Sequence, residues 1–285
     1  MHDNQTSTQA SGPLPAIPAT QPKQSLGVGA LISDTFAVFF SHIVMICLIG
    51  LVPMIVGQVL PGLLLGLLAD SSDPLGTGQV ISSLVMGLLL LCVYTFSTAL
   101  VIQLTYDEQL GRRVRVRAYL RPAVRSVPAI LALSIAISLI LFVAQMLLFL
   151  LSAASPYLML VGVPFQIGFV LWVLAAFSVC APAVLFEQAG LRGLGRSFEL
   201  TRDYRWPIAG TLALTCVLIA LFYVILGAVI MVFTMASGGL LGALLFGLLS
   251  TAGTSILVIA VTLIYARLRE IKEGISIDQI AAVFD

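Results

Sequence analysis

Residues 80–105 read VISSLVMGLLLLCVYTFSTALVIQLT, and residues 112–125 read RRVRVRAYLRPAVR. The first stretch contains no charged side chain, and it exceeds the roughly 20 apolar residues that a helix needs to cross a bilayer. The second carries six arginines. An uncharged span that runs straight into a cationic cluster reads as a helix ending at a membrane face. Five further apolar stretches flank it: about Ile43–Leu68, Val127–Leu151, Tyr157–Phe186, Trp206–Met235 and Leu240–Leu268. Lipid offers no hydrogen-bond partner to the backbone, so such runs must be helices. They are continuous rather than alternating, which argues against a barrel. The predicted fold is all-α and polytopic, with about six transmembrane helices. Composition agrees: 60% of the 285 residues are hydrophobic and 9% charged, against roughly 25% charged in a soluble domain.

The 14 Lys and Arg residues fall in four places. Lys23 precedes the first span. Arg112, Arg113, Arg115, Arg117, Arg121 and Arg125 lie between the second and third. Arg192, Arg196, Arg202 and Arg205 lie between the fourth and fifth, and Arg267, Arg269 and Lys272 follow the sixth. The remaining connections hold none; the segment Ala69–Gln79 carries Asp70 and Asp73 instead. The positive-inside rule assigns all four basic segments, and so both chain ends, to the cytoplasm. Tyr106, Tyr119, Tyr204, Trp206 and Tyr265 fall on the same side, as an interfacial aromatic belt does. The expected location is the cytoplasmic (inner) membrane.

Three segments on this side have helical periodicity. Val28, Leu31, Ile32, Thr35, Phe36 and Phe39 recur at helical spacing before the first span, and Leu191, Leu194, Phe198 and Thr201 do so before the fifth. Val114–Val124 is similar but basic. Short helices with one apolar stripe lie in the membrane interface. The pattern suggests three units, each an interfacial helix followed by a hairpin of two spans, at about 27–106, 112–187 and 190–268. Residues 1–24 are polar, lack the apolar core of a signal peptide and read as a disordered tail. Residues 25–270 form the membrane domain, and residues 271–285 a cytoplasmic C-terminal tail.

Candidate chemistry is sparse. Gly190-Leu-Arg-Gly-Leu-Gly-Arg-Ser197 approaches the phosphate-loop pattern, but it places Arg where Lys is needed and follows a membrane helix instead of a strand. Cys47, Cys92, Cys180 and Cys216 lie singly in apolar runs and read as packing residues. His2 and His42 are isolated, so no metal or cofactor is expected. The intramembrane polar residues Gln58, Gln103, Gln145 and Gln166 are neutral and read as interhelical hydrogen bonders. Pro53, Pro61, Pro164 and Pro182 read as kinks, and Gly62/Gly66 and Gly238/Gly242 as points of close helix contact.

Two stretches carry a family likeness: Leu191-Arg-Gly-Leu-Gly-Arg-Ser-Phe-Glu-Leu-Thr-Arg202, with Trp206 soon after, and Leu263-Ile-Tyr-Ala-Arg-Leu-Arg-Glu-Ile-Lys-Glu-Gly274. Together with the Asp34–Phe40 segment they resemble the bacterial glycerophosphoryl diester phosphodiesterase membrane domain, over about 26–280. The resemblance implies a multi-pass topology. In fused relatives the diesterase chemistry resides in a separate soluble barrel with a His pair and acidic metal ligands, which this chain does not match. The expected function is therefore non-enzymatic: contact with anionic lipid headgroups, or organisation of a membrane-protein partner or a second copy, through Arg112–Arg125 and Arg192–Arg205. The alternative is a transporter or channel-like protein moving a lipid or amphiphile between hairpins, which a polar-lined opening near Gln145 and Gln166 would favour. Nucleic acid is not expected, because no nucleic-acid-binding fold accompanies the cations.

Overall fold

A computed structural model describes residues 26–56, 77–112, 116–188, 190–237 and 239–274. Among these residues the regular structure is helical throughout. In chain order the helices are α1 (Val28–Ser41), α2 (Ile43–Met54), α3 (Thr77–Gln109), α4 (Val116–Ala154), α5 (Pro156–Phe177), α6 (Cys180–Glu187), α7 (Gly193–Thr201), α8 (Arg205–Ser237) and α9 (Gly239–Glu273). A 3-10 turn at Gly190–Arg192 leads into α7. Among the described residues, five stretches are long and apolar enough to cross a membrane: Ser83–Gln109, Arg117–Ala153, Tyr157–Glu187, Arg205–Thr234 and Leu244–Glu273. The chain is a multi-pass helical membrane protein. The first expected span, Ile43–Leu68, is described to Val56; the rest of it, the tail 1–24, and Pro61, Gly62 and Gly66 lie outside the described residues. α9 continues through Glu273, so the expected C-terminal tail begins as helix, and 275–285 lie outside the description.

Local chemistry explains the breaks. α1 and α2 meet at 80° around His42. The turn at Ser178–Val179 separates α5 from α6 within one span. Pro182 causes it, because its missing N–H cannot bond the Ser178 carbonyl one turn back and its ring crowds that carbonyl. The break orphans the last carbonyls of α5. Ala176 O is satisfied from another helix, by the hydroxyls of Ser197 (2.9 Å) and Thr201 (3.1 Å).

Packing among the helices is cyclic. Taking the units as α1–α3, α4–α6 and α7–α9, the first span of each packs on the closing span of the unit before it: α2 on α9, α4 on α3, α8 on α5. The leading helices follow the same rule. α1 lies on α9, the first turns of α4 on α3, and α7 on α5 and α6. The closing spans meet one another at the centre, α9 against both α3 and α6.

The leading segments differ in detail from their expected form. Residues 116–124 form no separate helix; they are the first turns of α4, which runs unbroken through Pro122 and Pro128. They are held to α3, where Gln103 Nε2 donates to Tyr119 O at 3.2 Å and Tyr119 Oη donates to Asp107 Oδ2 at 2.6 Å. In α7 the buried face is Gly193, Ser197, Leu200 and Thr201, while Phe198 is exposed. The face is turned away from the apolar stripe because hydroxyls, and not only methyl groups, are needed at the orphaned Ala176 carbonyl.

Candidate functional site

The centre of the basic end is a stack of three rings. Tyr106 and Phe186 come from the last turns of α3 and α6, and Tyr265 from two turns before the end of α9, at 80- and 79-residue intervals. Ring centroids are 4.1 Å apart for Tyr106–Phe186 and 6.0 Å for Phe186–Tyr265. Around this stack runs a chain of polar bonds. Tyr265 Oη donates to Glu187 Oε1 at 2.9 Å, and Arg196 Nε donates to Glu187 Oε2 at 2.8 Å. Arg196 Nη2 pairs with Glu273 Oε1, and Arg269 Nε donates to Glu273 Oε2 at 2.8 Å. Both oxygens of each carboxylate are engaged, so neither glutamate is poised as a base. The hydrogen bond that Arg196 donates to Glu187 raises its pKa against the opposing effect of burial, which keeps this guanidinium charged. Lys272 Nζ adds a second tie between α9 and α7, to Asp203 Oδ2 at 3.0 Å and Glu199 O at 2.9 Å. His42 Nε2 lies 2.7 Å from Glu108 Oε2, joining the bend of the first unit to the end of α3.

The expected cationic residues divide into distinct groups. Arg117, Arg121 and Arg125 are exposed and share one face of α4 at intervals of four. Arg192 and Arg202 are exposed too. Among the described residues, none of these five has an ion-pair partner. Arg112 is exposed and has an interaction partner. Arg113 and Arg115 lie outside the described residues. Arg196 is committed to the glutamate network. Arg205 is half-buried, with its guanidinium carbon 3.9 Å from the Phe198 ring centre and 5.1 Å from that of Trp172. Its Nε and Nη2 are buried without hydrogen-bond partners among the described residues, so the two ring faces supply the stabilisation.

Arg125 also borders a cleft of about 170 Å³ at this end, between Pro122 and Ser126 on one side and Val184 and Gln188 on the other. Its rim is the left-handed turn at Gln188 (φ 50°) and Gly190 (φ 53°). A glycine suits such a φ, which an L side chain strains.

Within the membrane layer the recesses are apolar. One of about 570 Å³ lies between α4 and α5, walled by Leu139, Val143, Leu147, Gly162 and Phe165, with Gln166 at its edge. A second, about 260 Å³, lies among α4, α5, α8 and α9 against Ile137, Leu174, Cys216 and Leu257. The recess that Gln166 borders is therefore apolar and not the polar-lined opening that was the sequence expectation there.

The sequence directs attention to cations but does not pair them; Glu187 and Glu273 are the carboxylates that engage Arg196 and Arg269. The signal that marks the junction is the near-equal spacing of Tyr106, Phe186 and Tyr265. Against known proteins, no family model, no curated protein and no solved structure matches this chain.

Proposed function

We propose that this chain is a non-enzymatic membrane protein whose basic end faces the cytoplasm and gathers anionic lipid headgroups, organising a partner at that surface. The observation that carries this reading is the division among its cations. Arg196, Arg269 and Lys272 are consumed by internal carboxylates. Arg117, Arg121, Arg125, Arg192 and Arg202 stand exposed without counter-ions among the described residues. A cation near an anionic leaflet gains about 1 kcal/mol, so the trio on α4 amounts to about 3 kcal/mol of local preference. The cleft beside Arg125 adds a concave place for one headgroup. The likeness to the glycerophosphoryl diester phosphodiesterase membrane domain is in keeping with a bacterial inner-membrane location.

The experiment reconstitutes the full chain into bilayers of mixed neutral and anionic phospholipid and measures energy transfer to a labelled anionic lipid. Arg117→Gln, Arg121→Gln and Arg125→Gln together should abolish most of the enrichment around the protein. Enrichment that survives the triple substitution would overturn the reading. Reporter fusions at both chain ends test the cytoplasmic orientation separately.

A further inference from the structure

Between Leu133 and Val173 no described residue is buried. The outer parts of α4 and α5 are therefore a two-helix hairpin that the rest of the bundle leaves without a buried side chain. Two carboxamides lie on it, Gln145 on α4 and Gln166 on α5. Ser155 marks the turn, about ten residues from each. At a rise of 1.5 Å per residue both sit roughly 15 Å from that turn, near the middle of the hydrocarbon layer. Neither makes a hydrogen bond among the described residues. Gln103 shows what a satisfied carboxamide does in this protein: its Nε2 reaches Ala99 O at 3.3 Å and Tyr119 O at 3.2 Å, tying two units together. An amide left unpaired in hydrocarbon is costly. Gln145 is exposed, and Gln166 is half-buried at the edge of the recess of about 570 Å³.

We infer that this hairpin is a self-association surface, on which a second copy of the chain seats with Gln145 of one copy hydrogen-bonded to Gln166 of the other. Copies inserted the same way are related by an axis along the membrane normal, which preserves depth. The two carboxamides then meet at one level. A phospholipid in the same recess brings only methylene groups to that depth, since its polar atoms lie about half a bilayer away. It would leave both amides unpaired. A second copy supplies the missing donor and acceptor, together with apolar side chains to fill the recess. This surface shares no residue with the cationic face, so the two readings stand or fall separately.

The test uses the full chain in bilayers. Chains carrying Gln145→Cys are mixed with chains carrying Gln166→Cys and oxidised. A disulfide-linked dimer is expected in the mixture, above the background that the native cysteines give in wild type. Gln145→Cys mixed with Ser134→Cys, whose depths differ by about 16 Å, should stay at background. In a second measurement, energy transfer between labelled copies is followed on dilution into lipid. The Gln145→Leu/Gln166→Leu double variant should raise the dissociation constant roughly threefold for each carboxamide pair lost, and leucines keep the helices apolar. Absence of the mixed disulfide, or a double variant that associates as wild type does, would sink the inference. A wild-type monomer that retains phospholipid in the recess would overturn it in favour of lipid as the occupant.

Discussion

Arg196 Nε sits 2.8 Å from Glu187 Oε2, and this pair fastens the leading helix of the third unit to the closing span of the second. Glu187 also accepts from Tyr265 of α9, so one carboxylate holds three helices. The bond joins the second and third units at the basic end.

Replacing Glu187 by Ala strands both Arg196 and Tyr265. Loss of one partner from a hydrogen-bonded charge pair costs about 1–3 kcal/mol, less than for a fully buried pair because Arg196 is 31% exposed. Thermal unfolding of the purified protein should show a lower midpoint for Glu187→Ala. Glu187→Gln keeps an acceptor for Tyr265 and should lose less. Equal midpoints for the two variants would contradict a role for the charge.

At the contact of α2 with α9 the tolerance is steric. A Cβ added at Gly50 would lie 1.7 Å from Thr251 Cγ2 and 2.8 Å from Thr251 Cβ. The second atom belongs near the backbone, so the helices must part. Gly50→Ala should destabilise by about 1–3 kcal/mol. Thr251→Ala in the same chain removes the closest atoms and should restore part of the loss. The comparison of single and double variants in thermal unfolding checks this, and a double variant no better than Gly50→Ala would place the strain elsewhere.

Phe186 is the middle ring of the Tyr106–Phe186–Tyr265 stack. Phe186→Ala removes both ring contacts and should cost about 2–3 kcal/mol, somewhat under the value for a wholly buried Phe because this ring is half-buried. Near-ultraviolet circular dichroism should report the loss of ordered tyrosines alongside the lower midpoint. Phe186→Tyr keeps the stack and should retain the spectrum.

Much of the architecture is legible in the order of residues. The apolar runs at Val80–Thr105, Val127–Leu151, Tyr157–Phe186, Trp206–Met235 and Leu240–Leu268 coincide with long helical stretches, whose ends shift by up to about three turns. α1 and α7 stand as separate short helices where amphipathic segments were expected. The leading segment of the second unit is less legible, because the apolar periodicity over Val114–Val124 does not show whether it stands apart from the span that follows. Contacts of Tyr119 with Gln103 and Asp107 hold it as continuous helix. The face of α7 was misplaced for a similar reason. Apolar periodicity cannot anticipate that an orphaned carbonyl at Ala176 draws Ser197 and Thr201 inward.

Hydropathy and charge act along the chain, residue by residue, so the sequence by itself determined the solvent of this protein, its helical class and the gathering of cations between alternate spans. Which cations are spent and which are displayed was decided only by tertiary structure. Arg196 finds Glu273 across 77 residues of chain, and Arg205 finds its aromatic faces on α5 and α7. Arg117, Arg121 and Arg125 meet no such partner among the described residues. Ion pairing and ring stacking are short-ranged and geometric, and their partners are chosen by how the three units close on one another.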